Sequence, residues 1–477
     1  MVDELSIRAA ARDAPNSPGL IADGRTWTFE ALAQFAAGII ARVESASAGA
    51  NENGQILLRC ANDPATLATI LALIDRGTSF VPMHPRWTEA ERQVVASDWP
   101  SARWIVSSDV QSSAAAEDPV GSAPPPTTME APLAVVYTSG TTGRPKGAVL
   151  SRRAFVASAV GSGANLSWRR DDRWLLCMPL CHIGGLSVLT RCLAARKCVV
   201  LHSKFDADEA LDSIVNDGVT LMSVVPTMLR RLLAADRHNV LSRARAILVG
   251  GAAAPESLMR ACAERNIAAL TTYGLTEACS QVTVQSPRDA RQFEPGVGRA
   301  LPGVRVDVVD ALGHSVNAGV AGEIRVGGAT LMSGYWRGES VPPAGCDTGD
   351  HGVLDGVGRL EVCGRRSDLI VSGGENVYPL EVERALECCP GVQSAAVFGT
   401  EDAEWDHVVS AALVVDVPAE QVERMLADAL RERLARFKWP RRLAFVSELP
   451  LSADGKPDRA RLARDAASQL TPWAPER

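Results

Sequence analysis

Thr138, Ser139, Gly140, Thr141, Thr142, Gly143 and Lys146 fall in one short run, directly after the apolar stretch Leu133 to Tyr137. Glycines let a backbone turn and approach a ligand closely. The hydroxyls and successive N–H groups can surround phosphate oxygens, and Lys146 adds a point charge. A Walker A loop needs its lysine between a glycine and a serine or threonine. Here Lys146 stands between Pro145 and Gly147, so the loop is of another kind. A flexible surface turn would explain the glycines but not so many hydroxyls beside a lysine.

Such a loop has to be held by strands and helices, and the chain supplies them. Short apolar runs recur at Leu221 to Val225 and Ala246 to Val249, ending at Pro226 and at Gly250-Gly251. Helical patterns follow both, with Pro255 suited to a first turn. Thr28 reads as the N-cap of a helix from Phe29, Gln55 to Arg59 as a strand, and Ser151 as the cap of the helix that follows the glycine-rich loop. Residues Gln111 to Pro132 have loop composition. Strands alternating with helices predict an α/β fold with largely parallel sheets covered on both faces, where ligands bind at the carboxyl ends of strands. Between Val304 and Val326 short strands with glycine turns predict a small β subdomain. After Arg365 a compact α+β module follows: strand Leu369 to Val371, helix from Pro379, strands Ser394 to Phe398 and Val408 to Val415, a helix from Glu420, and strand Leu443 to Val446.

The chain of 477 residues is ordinary in hydrophobic content, at 46%, so it can bury a large core. Its 56 acidic and 49 basic residues leave a net charge of −7, which argues against a generic nucleic-acid binder. The eleven cysteines are odd in number and scattered, against a disulfide framework. No signal peptide and no long apolar run is visible, so we expect a cytoplasmic protein without a membrane anchor. The sequence leaves a homo-oligomer open.

Three further segments belong with the loop. They are Tyr273-Gly274-Leu275-Thr276-Glu277, then Asp347-Thr348-Gly349-Asp350 with Gly364-Arg365-Arg366-Ser367-Asp368, and finally Leu451-Ser452-Ala453-Asp454-Gly455-Lys456. Together, and in this order, they resemble the motifs of the adenylate-forming superfamily, which includes acyl- and aryl-CoA ligases, nonribosomal adenylation domains and luciferases. The resemblance spans nearly the whole chain. It implies a large N-terminal domain, residues 1–366, and a small mobile C-terminal domain, residues 367–477, hinged near Ser367. Many members carry Asp or Lys where Ser367 stands. The text after Lys456, Pro457-Asp458-Arg459, is a second, modest departure.

The implied ligands are ATP, Mg²⁺ and coenzyme A, and the residues suit them. Glu277, after the strand-like run Ile267 to Thr272, offers a hard oxygen to Mg²⁺. Thr276 offers a hydroxyl to the α-phosphate and Tyr273 a flat ring to adenine. Gly251 and Ala252 leave room for the other face of the base. Asp350 suits both ribose hydroxyls and Arg365 ribose or phosphate, although in isolation an ordinary turn aspartate and a surface arginine would look similar. Lys456 alone would read as an exposed turn lysine. The resemblance makes it the catalytic lysine that bridges carboxylate and α-phosphate as charge builds up.

For the acid, Met178-Pro179-Leu180-Cys181-His182-Ile183-Gly184-Gly185 and its continuation to Arg191 resemble the o-succinylbenzoate–CoA ligases of menaquinone biosynthesis. So do Ser223 to Leu229, Ala278 to Gln281 and Ser372 to Pro379. His182 is expected beside the reacting carboxylate, though a lone histidine is often a satisfied core residue. Gly184, Ser223, Gly250, Gly274 and Leu275 would shape space for an aromatic ring. Ser223, Thr227 and Ser280 can hydrogen-bond a keto group or a distal carboxylate. No cationic partner for that second carboxylate is identified. Three alternatives stay open: another aryl- or fatty-acid–CoA ligase, a free-standing enzyme that loads a carrier protein, and an inactive nucleotide-binding regulator.

Overall fold

The computed structural model describes residues 2–45, 55–106, 128–138, 145–338, 340–342, 344–372, 375–402, 405–451, 457–466 and 468–473. The chain forms two compact units: residues 1–251, 265–306 and 326–346, and residues 252–264, 307–325 and 347–477. The second unit thus takes in more than the segment 367–477.

The first unit is built on two sheets. In the nine-stranded sheet, the strands Ala269–Leu275, Ala246–Val249, Leu221–Val224, Arg173–Leu176, Cys198–Leu201 and Pro18–Ala22 run parallel as neighbours in that order. Ser280–Val284 and Arg299–Ala300 close one edge antiparallel, and Arg25–Thr28 the other. The central strands are short apolar runs buried on both faces, the pattern of a covered parallel sheet. Parallel neighbours put their carboxyl ends on the same edge. That edge carries His182, Thr227, Gly250, Gly251 and the segment Tyr273 to Glu277.

The six-stranded sheet has Arg103–Ile105, Ile56–Arg59, Phe80–Met83 and Pro132–Thr138 parallel. Lys146–Ser151 and Gly334–Tyr335 follow antiparallel. Thr28 and Ser151 cap their helices as expected, accepting from the N–H groups of Ala31 and Ala154. One expectation changes. The glycine-rich run does not lead straight into the helix Arg152–Leu166, because the strand Lys146–Ser151 comes first. It closes a hairpin in which Thr138 pairs with Lys146. Gly147 permits that pairing: a Cβ there would lie 2.7 Å from Val135 Cγ1.

The β-rich segment expected around Val304 to Val326 is there, and its residues 307–325 belong to the second unit; Gly322–Gly328 lies beside Cys346–Leu354, itself antiparallel to Leu360–Arg365. The second unit's other sheet centres on Asp406–Val415, paired with Val392–Asp402 and Arg442–Phe445. The helices Pro379–Glu387 and Ala419–Arg431 bury Val382, Leu386 and Leu426 against it. Among the described residues no helix is long and apolar enough to cross a membrane. All eleven cysteines are free thiols.

Candidate active site

The base of the hairpin between Thr138 and Lys146 is held by several contacts. Thr138 Oγ1 donates to the Lys146 carbonyl at 3.4 Å. Next to it, the Tyr137 hydroxyl donates to Asp98 Oδ2 at 2.8 Å and accepts from Trp99 Nε1 at 3.0 Å. Burial and the neighbouring Asp98 push that phenol's pKa up, so it stays a neutral donor. Trp99 stacks on Trp336, whose N–H bonds the Gly147 carbonyl at 2.7 Å. Ser139, Gly140, Thr141, Thr142 and Gly143 lie outside the described residues.

Lys146 is exposed, with Nζ 5.5 Å from the centre of the Tyr335 ring. The Tyr335 hydroxyl donates to Glu277 Oε1 at 2.7 Å, and the Glu277 carbonyl accepts from Met332 N–H at 2.8 Å. Tyr335 therefore joins the expected phosphate-binding lysine to the expected metal-binding carboxylate. Sequence reading missed it, since it lies 58 residues from Glu277 and is brought there by strand pairing. Glu277 sits in the 3-10 turn Thr276–Ala278, directly after a strand that runs through Tyr273 and Gly274 to Leu275. A half-buried carboxylate with one oxygen fixed by a phenol fits a hard cation.

Gly274 has a plainer reason to be small than room for a ring: a Cβ there would fall 1.9 Å from the Ser280 carbonyl oxygen. The backbones close in at the bulge between Tyr273 and Gly274. Gly250 is likewise hemmed in, since a Cβ there would lie 2.8 Å from Thr272 Cγ2, and Gly251 holds a left-handed φ of 79°. Gly184 has room to spare: a Cβ there would meet only Met178 Cε, at an ordinary 3.5 Å. Thr227 is exposed at the start of the helix Pro226–Ala235.

Beside Ser280, one of the residues expected to meet the acid, the structure places a residue that the sequence reading did not single out. Arg191 is 2% exposed, on the helix Ile183–Ala195, where it is the one charged residue. Its Nη2 donates to Ser280 Oγ at 3.2 Å, and its guanidinium lies 5.7 Å from the Trp174 ring centre. Trp174 Nε1 in turn donates to Ser223 Oγ at 3.1 Å. Ser187, one turn before Arg191, also donates to Ser280 Oγ. Arg191 Nε is buried without a partner, and no carboxylate among the described residues pairs with the side chain. Burial pushes its pKa down to about 10, so it remains charged at neutral pH. A charge lodged alone among apolar residues on a helix was the available signal. His182 stands at the N-cap of the same helix, half-buried.

In the second unit, Asp350 and Arg365 are direct cross-strand partners, with Arg365 Nε 2.9 Å from Asp350 Oδ1. Asp350 is buried while Arg365 is exposed. Ala252, half-buried, also belongs to this unit. Ser367 is exposed and donates to Asp368 Oδ1 at 3.1 Å. Lys456 lies outside the described residues; Leu451 and Pro457 on either side of its segment form a bridge. Arg459 follows and bonds both Asp368 and Glu383.

Comparison with known proteins places the chain in a family. The model of the AMP-binding enzyme family matches residues 100–336, and that of the AMP-binding enzyme C-terminal domain residues 381–456. The chain is 35% identical to a 2-succinylbenzoate–CoA ligase of Bacillus pumilus, over 94% of this chain and 95% of that protein. It is 34% identical to an indoleacetate–CoA ligase of Aromatoleum aromaticum, over 88% and 90%. Among solved structures, it resembles the o-succinylbenzoate CoA synthetase of Bacillus subtilis in complex with its acyl-adenylate intermediate. The TM-score is 0.85 at 32% identity, covering 96% of this chain and 98% of that one. The same synthetase has been solved with ATP and magnesium ion, at a TM-score of 0.84, 32% identity and the same shares of the two chains.

Proposed function

We propose that this chain, which belongs to the AMP-binding enzyme family, joins 2-succinylbenzoate to coenzyme A in menaquinone biosynthesis, in the cytoplasm. A carboxylate oxygen of the acid attacks the α-phosphorus of ATP and pyrophosphate leaves. The thiol of coenzyme A then attacks the acyl carbon and AMP leaves.

The observation that carries the substrate is Arg191. A buried guanidinium without a carboxylate partner is costly unless something anionic offsets it. It lies one hydrogen bond behind Ser280, whose side chain is half-exposed. An aromatic acid with a second carboxylate supplies that anion, docking on Ser280 with the arginine charge behind it. Ser223 and Thr227 offer hydroxyls to the keto group, and His182 stands beside the reacting carboxylate.

At the nucleotide end, the loop Thr138 to Lys146 holds phosphates, Tyr273 and Gly250 to Ala252 the adenine, and Thr276 the α-phosphate. Asp350 and Arg365 serve the ribose. Glu277 would hold Mg²⁺, which offsets phosphate charge when bound. Lys456 stabilises the charge that develops in the first half-reaction, and Ser367 is the hinge about which the segment 367–477 turns before the second.

The test is thioester formation from ATP, Mg²⁺, coenzyme A and a panel of acids. We expect 2-succinylbenzoate to exceed benzoates that lack the second carboxylate by at least about 10²-fold in kcat/KM. Vigorous pyrophosphate exchange with medium-chain fatty acids, and none with 2-succinylbenzoate, would overturn the assignment.

A further inference from the structure

We propose that His84, Cys181 and His182 form a binding site for a borderline-soft divalent cation of the Zn²⁺ kind, and that filling it shuts off adenylation. The three side chains offer two imidazole nitrogens and one sulfur, all within 4.8 Å of one another. The two imidazole rings are 5.5 Å apart between centres. The inhibitory part rests on the reading of His182 as the residue beside the reacting carboxylate; the cation site itself does not.

The cluster is assembled by the fold rather than by sequence spacing. His84 directly follows the strand Phe80–Met83 of one sheet. Cys181 and His182 close the loop after Arg173–Leu176 of the other. Asn62 ties that loop down. Its Nδ2 donates to the Met178 carbonyl at 3.0 Å, and its Oδ1 accepts from Leu180 N–H at 3.0 Å. The His182 N–H bonds the Pro179 carbonyl at 3.1 Å, and Gly185 makes the tight turn possible, since a Cβ there would fall 2.3 Å from Pro179 O. Ligands on such a fixed frame are pre-organised.

The donor set selects the metal. Nitrogen and sulfur without a carboxylate suit zinc-like ions and not Mg²⁺. Zn–N near 2.0 Å and Zn–S near 2.3 Å place the two nitrogens and the sulfur roughly 3.3–3.5 Å apart in a tetrahedral site. Small rotations of the two imidazoles close that gap. Three protein ligands leave the fourth position to water. Binding replaces the S–H bond of Cys181 by S–Zn and releases one proton to solvent. His84 gives up the 3.1 Å bond that the Arg86 N–H donates to its Nδ1, an exposed contact that water can replace. With both imidazoles engaged, His182 no longer serves the acid.

Co²⁺ reports thiolate ligation by a charge-transfer band in the near ultraviolet, independently of activity. The full-length enzyme titrated with Co²⁺ should show that band at one equivalent, and Zn²⁺ should abolish it. The band should vanish in Cys181→Ser and weaken at least about tenfold in affinity in His84→Ala. No thiolate band, or a band unchanged in Cys181→Ser, overturns the site. Separately, Zn²⁺ at the occupancy read from the titration should depress pyrophosphate exchange in the native enzyme, with recovery on chelation. Cys181→Ser should exchange pyrophosphate at a near-native rate and resist Zn²⁺. Equal inhibition of the two proteins overturns the regulatory part even where the band is present, and separates its failure from that of the acid assignment.

Discussion

The first unit holds two cations, each proposed to serve a substrate, in opposite ways. Arg191 is sealed in a helix against Trp174 and Ser280, charged and dry before any substrate arrives. Lys146 stands exposed at the start of a hairpin strand over Tyr335. A dry charge interacts strongly with whatever anion reaches it, and rejects a ligand that lacks one. A wet charge is screened and exchangeable, and gains strength only when a ligand covers it. On the proposed reading, the acid end is built for discrimination. The phosphate end handles groups shared by every substrate of the family and has less need of it.

The comparison breaks first at Arg191. Arg191→Leu should lower kcat/KM for 2-succinylbenzoate by about 10³-fold, carried mainly in KM for the acid, with KM for ATP little changed. Stability should move the other way. A basic group whose pKa falls on folding costs stability wherever both states are charged, here below pH about 10. The native enzyme should therefore gain stability as pH rises from about 10 toward the ordinary arginine range. At neutral pH, Arg191→Leu should melt no lower than the native protein yet lose the stabilisation conferred by 2-succinylbenzoate. A marked fall in Tm without acid would make Arg191 a structural residue and dissolve the contrast.

Lys456→Ala tests whether charge at the phosphate end serves one half-reaction only. Adenylate formation should fall by about 10²-fold, while supplied acyl-adenylate and coenzyme A still give thioester. Equal loss in both steps would refute that division. Lys146→Ala sharpens the wet side. KM for ATP should rise about tenfold at low salt, and the deficit should shrink as ionic strength climbs. A deficit indifferent to salt would show that Lys146 acts in a dry site after all.

Much of this was legible in the sequence, because the backbone rules act locally. Short apolar runs ending at Pro226 and Gly250 marked strand ends, and those ends do share one edge. Ser151 capped its helix as read, but the strand before it was missed, since Lys146 to Ser151 pairs with residues across a loop rather than with its neighbours. Gly274 was expected to leave room for a ring; the structure gives it a packing reason in the hairpin that no linear reading supplies. Arg191 was visible as a lone charge on an apolar helix, yet its value lies in what surrounds it. Tyr335 gave no signal, because its partners Lys146 and Glu277 reach it through strand pairing and a turn distant in sequence.

Tyr335 also provides the finest probe of the wet end. Tyr335→Phe keeps the ring under Lys146 and removes the hydrogen bond to Glu277 Oε1. That bond orients the carboxylate but also competes for one of its oxygens, so the net effect should be small. We expect a two- to fivefold rise in the Mg²⁺ concentration needed for half-maximal pyrophosphate exchange, with KM for 2-succinylbenzoate unchanged. A shift in the acid's KM instead would mean that the two ends are coupled through this tyrosine. An unchanged Mg²⁺ requirement would leave Tyr335 as a support for Lys146 alone, and Glu277 as a carboxylate positioned by its backbone bond from Met332.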